Sequence, residues 1–139
     1  MILLDTNVVS EVIRAEPEER VLTWMDSLEV ASVAITAITH AELLYGVARL
    51  PDGRRSEQLS ETIRALIDED LGGRVEPFDA AAATHYATLV SARERAGRPI
   101  GVADGQIAAI ARKLGATLAT RDTSDFESTG IELLDPWLE

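Results

Sequence analysis

Four apolar residues, Met1-Ile2-Leu3-Leu4, run without a polar break into Asp5-Thr6-Asn7. A strand with one wet face alternates apolar and polar positions. A continuous apolar run belongs to a strand covered on both faces, which requires a parallel sheet with helices above and below it. Val8, Val9, Val12 and Ile13 then recur at helical spacing, so a short helix follows at once, to about Arg14. This leaves Asp5 at the carboxyl end of the strand, the edge beyond which open α/β sheets bind their ligands.

The rest of the chain repeats this alternation. Pro17 fits the first turn of a second helix that carries Val21, Leu22, Trp24, Met25 and Leu28. Residues 32–36 are β-branched and apolar, a second buried strand. A helix is expected from Thr39 to about Leu50, a turn at Pro51-Asp52-Gly53, and an amphipathic helix from Ser56 to about Leu71, ended by Gly72-Gly73. A short strand at 74–78 precedes Asp79, which reads as the N-cap of a helix through about Ala96. A loop at 98–101, a helix over 102–114, a strand at 116–119 and a last strand at 131–134 complete the pattern. The expected fold is α/β: a single domain over 1–139, an α/β/α sandwich with a mainly parallel central sheet. The helix pair around 39–71 interrupts the alternation as a helical hairpin and offers a surface for a partner.

Four acids share one situation. Asp5 follows the first strand, Glu42 lies in the first turn of the helix after the second, Asp104 lies in the first turn of the helix after the 98–101 loop, and Asp122 follows the 116–119 strand. In a parallel sheet these points lie at one edge. Each acid also has a plainer reading. Thr39-x-x-Glu42 has the form of a capping box, Asp104 can oppose a helix dipole, and Asp5 and Asp122 can be turn residues. Taken together, the plain readings weaken. Two carboxylates about 5 Å apart repel by roughly 3 kcal/mol at an effective dielectric of about 20, and only Arg121 brings a base to an equivalent strand end. A hard divalent cation, Mg²⁺ or Mn²⁺, resolves that repulsion with oxygen ligands alone, and the chemistry it implies is hydrolysis of a phosphodiester.

The chain carries no cysteine, so disulfides and thiolate metal sites are excluded. Lone His40 and His85 read as structural helix residues, and no Ser-His pair offers covalent catalysis. The formal net charge is -11, which disfavours nucleic-acid binding through overall charge. The acid is uneven: residues 1–79 hold sixteen acids and seven bases, residues 80–139 eight and six. Arg93, Arg95 and Arg98 gather in the second part and are candidate phosphate-backbone contacts, or a solvated helix end. No apolar run approaches the roughly 20 residues that span a bilayer, and the start lacks a basic leader, so a cytoplasmic protein without membrane contact is expected.

At these residues the sequence resembles the PIN-domain nucleases, within them the VapC-type toxins, close to the FitB-like branch. The resemblance rests on Ile2-Leu3-Leu4-Asp5-Thr6-Asn7, on Ala37-Ile38-Thr39-x-Ala41-Glu42-Leu43-x-x-Gly46, on Ala103-Asp104-Gly105-x-Ile107-Ala108-Ala109 and on Ala119-Thr120-Arg121-Asp122-Thr123, in order over nearly the whole chain. It implies an Mg²⁺-dependent endoribonuclease (Mn²⁺ substituting) with the acidic quartet Asp5, Glu42, Asp104 and Asp122. It also implies Thr120 as a supporting hydroxyl, Asn7 as a further support and Asp125 as a reserve ligand. A homodimeric toxin of a type II toxin–antitoxin system follows from the same resemblance, with a small DNA-binding antitoxin as partner, RNA as substrate, and DNA reached only through the antitoxin.

Two other readings compete. The chain can be the non-catalytic dimerising subunit of an antitoxin-containing DNA-binding repressor. It can also be an aspartyl phosphatase built on Asp5, which Asn7 in place of a second Asp, and the mid-helix position of Lys113, the only lysine, argue against.

Overall fold

The computed structural model describes every residue from Met1 to Glu139. Strand β1 (Ile2–Leu4) pairs in parallel with β2 (Val33–Thr36) on one side and β4 (Thr117–Ala119) on the other; β3 (Val75–Glu76) and β5 (Glu132–Leu134) form the edges. The order is β3-β2-β1-β4-β5, all parallel. The chain builds outward from β1 through β2 to β3, then returns to the other side with β4 and β5. The topological switch point therefore lies between β1 and β4, where α/β sheets open a crevice at the carboxyl ends of their strands.

Helices cover both faces, as an apolar central strand demands. On one face lie α1 (Thr6–Ile13), α2 (Glu19–Asp26), α3 (Ala37–Ala48) and α4 (Arg54–Ala65); on the other lie α5 (Ala80–Arg95) and α6 (Val102–Leu114). Successive side chains of β1 serve opposite cores. Leu4 packs with Val8, Val9, Val21, Ile35 and Ile63, while Leu3 packs with Ala82, Leu89, Ile107 and Ile110. The helical hairpin is α3 and α4 together. It does not stand away from the body: Leu43, Ile63, Leu66 and Ile67 lie within the first core.

The expected boundaries shift at a few places, for local reasons. Pro17 lies just ahead of α2, whose N-cap is Glu18; the buried carboxylate of Glu11 accepts the Glu18 amide at 3.1 Å and holds that entry. Beyond Ala65 the chain winds into a wider π-type turn, Leu66–Asp70, before Gly72 and Gly73 reverse it at φ 59° and 74°. Helix α3 begins at Ala37, not Thr39. Its N-cap is Thr36, whose Oγ1 accepts the Thr39 amide at 3.1 Å. Asp79 caps α5 as expected, accepting the Ala82 amide at 3.0 Å.

One close approach sets α6. Gly105 is buried against α5, and a β-carbon there would meet Tyr86 at 2.9 Å and Val90 at 3.0 Å. The bare backbone at Gly105 lets α6 lie tight on α5, and so determines where its neighbour Asp104 stands.

Candidate active site

Sheet register brings the first two groups together. Leu4 pairs with Ala119, and the Asp5 amide continues the ladder to the Ala119 carbonyl at 2.9 Å. Asp5 and Thr120 therefore emerge side by side, 115 residues apart in sequence, and the Thr120 hydroxyl donates to Asp5 Oδ2 at 2.8 Å. Asp5 is also the N-cap of α1, its Oδ1 accepting the Thr6 amide at 2.8 Å.

Thr120 is fully buried, and every hydrogen-bonding capacity of its hydroxyl is used. It donates to Asp5 and accepts from Asn7 Nδ2 at 3.3 Å and from the Asp122 amide at 3.1 Å. Asn7 bridges the same loop. Its Nδ2 donates to Asp122 Oδ2 at 3.1 Å and its Oδ1 accepts the Arg121 amide at 3.2 Å. Together Thr120 and Asn7 tie the carboxyl ends of β1 and β4 into one piece and hold Asp5 and Asp122 beside each other.

Glu42 arrives from α3. With Thr36 as the cap, Glu42 lies in the second turn of the helix, and the capping-box reading fails. Its Oε1 accepts from the Thr6 hydroxyl at 2.8 Å, which turns the carboxylate toward β1. Asp104 arrives from the first turn of α6. There it stands where an acid complements a helix dipole, but burial first, then the charges of Asp5, Asp125, Glu42 and Asp122, outweigh that and push its carboxyl up to about 6. Burial likewise raises Asp5, aided by the Glu42 and Asp122 charges and opposed by the hydrogen bonds from Thr120 and Thr6. Asp125 lies close enough for its charge to act on Asp104.

Asp5, Glu42, Asp104 and Asp122 line one open cleft of about 480 Å³, with Thr6, Asn7, Ser10, Glu11, Arg14, Arg121 and Trp137. Of these, Thr6, Ser10, Glu11, Arg14 and Trp137 escaped the sequence reading. Glu11 is one helical turn beyond Asn7, and Thr6 follows Asp5 directly, so spacing offered a signal for both. Trp137 offered none. The donors around the cleft are oxygen atoms, the set that suits Mg²⁺ or Mn²⁺. No three of the acids close into a ready cage; Mg²⁺ takes one or two direct carboxylates and keeps waters in its remaining positions.

The basic cluster is placed elsewhere. Arg93, expected near substrate, is buried: its guanidinium donates to the carbonyls of Arg98, Asp125 and Glu127 at 2.6–3.0 Å. Arg98 reaches the Ser124 carbonyl and the Glu127 carboxylate, and Arg95 the Ser91 hydroxyl. None of the three lines the acidic cleft. Lys113 is bound to the Asp79 carboxylate between α5 and α6, which removes the last candidate for a phosphatase lysine.

Comparison with known proteins gives a consistent result. The sequence model of the PIN domain matches residues 2–132. The chain is 44% identical over 137 residues to the VapC ribonuclease Y4jK of Sinorhizobium fredii, covering 99% of this chain and 98% of that protein. It is also 44% identical over 137 residues to the toxin FitB of Neisseria gonorrhoeae, covering 99% of each. Among solved structures, FitAB bound to an IR36 DNA fragment superposes with a TM-score of 0.92 at 44% identity, over 99% of this chain and 96% of that one.

Proposed function

The chain belongs to the PIN-domain family, and from that premise we propose that it is the toxin of a type II toxin–antitoxin pair: an endoribonuclease that hydrolyses RNA phosphodiester bonds with a divalent metal ion. The carrying observation is the acidic cleft at the switch point, where Asp5 at the end of β1, Glu42 of α3, Asp104 of α6 and Asp122 beyond β4 face one space, and where burial first, then the charges of Asp5, Asp125, Glu42 and Asp122, push the Asp104 carboxyl up to about 6.

Asp5, Glu42, Asp104 and Asp122 are the residues that would hold Mg²⁺ or Mn²⁺, with Asp125 in reserve. When bound, such an ion supplies Lewis-acid polarisation of the phosphate and acidifies water. The chain's own residues pre-organise the site. Thr120 fixes one oxygen of Asp5 and the Thr6 amide the other. Thr6 fixes Glu42 Oε1 and leaves Oε2 without that tie. Asn7 and Thr120 set the loop carrying Asp122. Such outer partners typically change metal affinity 10–100-fold when removed.

The relatives carry the names ribonuclease and toxin, and a neighbouring structure is a complex with DNA. By the same reading, this chain forms a homodimer and pairs with a small DNA-binding antitoxin that reaches DNA on its behalf. A purely non-catalytic repressor subunit is not favoured, because the acidic cleft is complete. No helix of the structure is long and apolar enough to cross a membrane. The test is cleavage of RNA by the purified chain with Mg²⁺, compared with EDTA and with Asp5→Asn. Loss of cleavage in both is expected, and full cleavage by a well-folded Asp5→Asn variant would overturn the assignment.

A further inference from the structure

An acidic cleft in a chain of net charge -11 gains little from the phosphate backbone of a nucleic acid, since that attraction depends on basic groups. Binding that does not rest on summed charge has to come from another source. Two residues lining the same cleft have the required chemistry, Arg121 and Trp137. The Arg121 guanidinium lies over the Trp137 indole, 4.8 Å from the ring centroid. The other cation lining the cleft, Arg14, is bound to Glu11 at 3.2 Å, whereas Arg121 is exposed and takes part in none of the ion pairs.

Both residues are held in place. Trp137 packs against the core that contains Leu4 and Val8; its amide donates to Asp135 Oδ1 at 2.9 Å and its carbonyl accepts from Arg20 at 3.1 Å. The Arg121 amide is fixed by Asn7 Oδ1, the same side chain that positions Asp122. The stack is therefore registered against the acids, and its guanidinium plane presents an outer face to solvent.

We propose that the Arg121–Trp137 stack is a nucleotide platform, on which a base of single-stranded RNA adjoining the cleaved phosphate stacks. This rests on the ribonuclease reading above. Unpaired bases stack on aromatic rings and on guanidinium planes, and such stacking tolerates any base. A guanidinium backed by an indole is held in place by the ring behind it and offers its outer plane to the base, and its N–H edges remain free for the neighbouring phosphate.

The experiment compares wild type, Arg121→Gln, Trp137→Phe and Trp137→Ala in cleavage of a single-stranded RNA oligonucleotide with Mg²⁺, alongside the same oligonucleotide carrying one abasic ribose at each position in turn. Arg121→Gln alters an exposed side chain and Trp137→Phe keeps an aromatic ring, so folding is preserved in at least these two. Trp137→Ala and Arg121→Gln are expected to raise KM about tenfold with kcat within about twofold, and Trp137→Phe to raise it less. An abasic ribose at the stacking position is expected to weaken wild type to the level of Trp137→Ala and to leave that variant unchanged. Saturating RNA is expected to quench tryptophan emission in wild type and not in Trp137→Phe, because Trp24 is buried. Wild-type KM in both Arg121→Gln and Trp137→Phe, or variants that lose only antitoxin binding, would overturn the platform. Loss of cleavage in Asp5→Asn with unaltered platform variants would leave the ribonuclease reading standing without it; absence of wild-type cleavage would remove both.

Discussion

Replacing Asp104 by Asn should stabilise the metal-free protein at neutral pH, an unusual outcome for a site residue. In the folded chain the Asp104 carboxyl is raised from its ordinary 3.8 to about 6, by burial first and then by Asp5, Asp125, Glu42 and Asp122. A group raised on folding supports the fold while protonated, below about pH 4, and that support is lost as pH climbs through about 6. At roughly 1.4 kcal/mol per pH unit, the gap from 3.8 to about 6 sets an upper figure of about 3 kcal/mol. Asp104 is only half-buried, so solvent screening reduces this to about 1 kcal/mol. The assay is urea unfolding in EDTA from pH 4 to 8 for both proteins. Their difference should be small at pH 4 and grow to about 1 kcal/mol in favour of Asn by pH 7.5, about 2–4 °C in Tm. Added Mg²⁺ should then stabilise wild type by mass action and the variant less. A difference that is independent of pH, or that turns against Asn as pH rises, would refute the argument that the acids oppose one another in this cleft.

Further outcomes follow from single contacts. Thr120→Val removes one donor and two acceptor contacts from a buried hub; it should cost about 1–3 kcal/mol in urea unfolding and weaken Mn²⁺ binding by about 10–100-fold in titration calorimetry. Gly105→Ala adds a β-carbon 2.9 Å from Tyr86; it should destabilise by about 1–3 kcal/mol and lower RNA cleavage by displacing Asp104. Arg93→Met orphans three carbonyls and should cost about 2–4 kcal/mol, while Arg95→Ala should change stability by less than about 0.5 kcal/mol. Glu42→Gln retains the acceptor for Thr6 and should keep the fold in circular dichroism while abolishing metal-dependent cleavage.

Much of this protein was legible along the chain because the signals are local. The apolar run at Ile2–Leu4 specified a doubly covered strand, Asp79 named its own helix start, and Gly115, at φ 63°, ended α6 where periodicity stopped. The parallel order of the sheet followed from helix–strand alternation, and with it the gathering of strand-end acids at one edge. Position along the chain sufficed to expect Asp5, Glu42, Asp104 and Asp122 at one edge, and they do line one cleft.

What tertiary structure decided are the contacts between residues far apart in sequence. Thr36 and Thr39 are equally good caps by composition; the reach of β2 to Thr36, paired with Glu76, starts α3 there and moves Glu42 out of any capping role. Arg93 reads as one of several surface cations until the 125–127 loop folds over it and offers carbonyls that only an inward guanidinium can satisfy. Trp137 gives no sign of its place at the cleft, since its position depends on β5 pairing with β4 and on the Arg121 guanidinium that lies over its ring. Local hydrogen bonds and apolar periodicity are written residue by residue, whereas the partner of a buried charge or an exposed ring is settled by which distant backbone the register brings alongside.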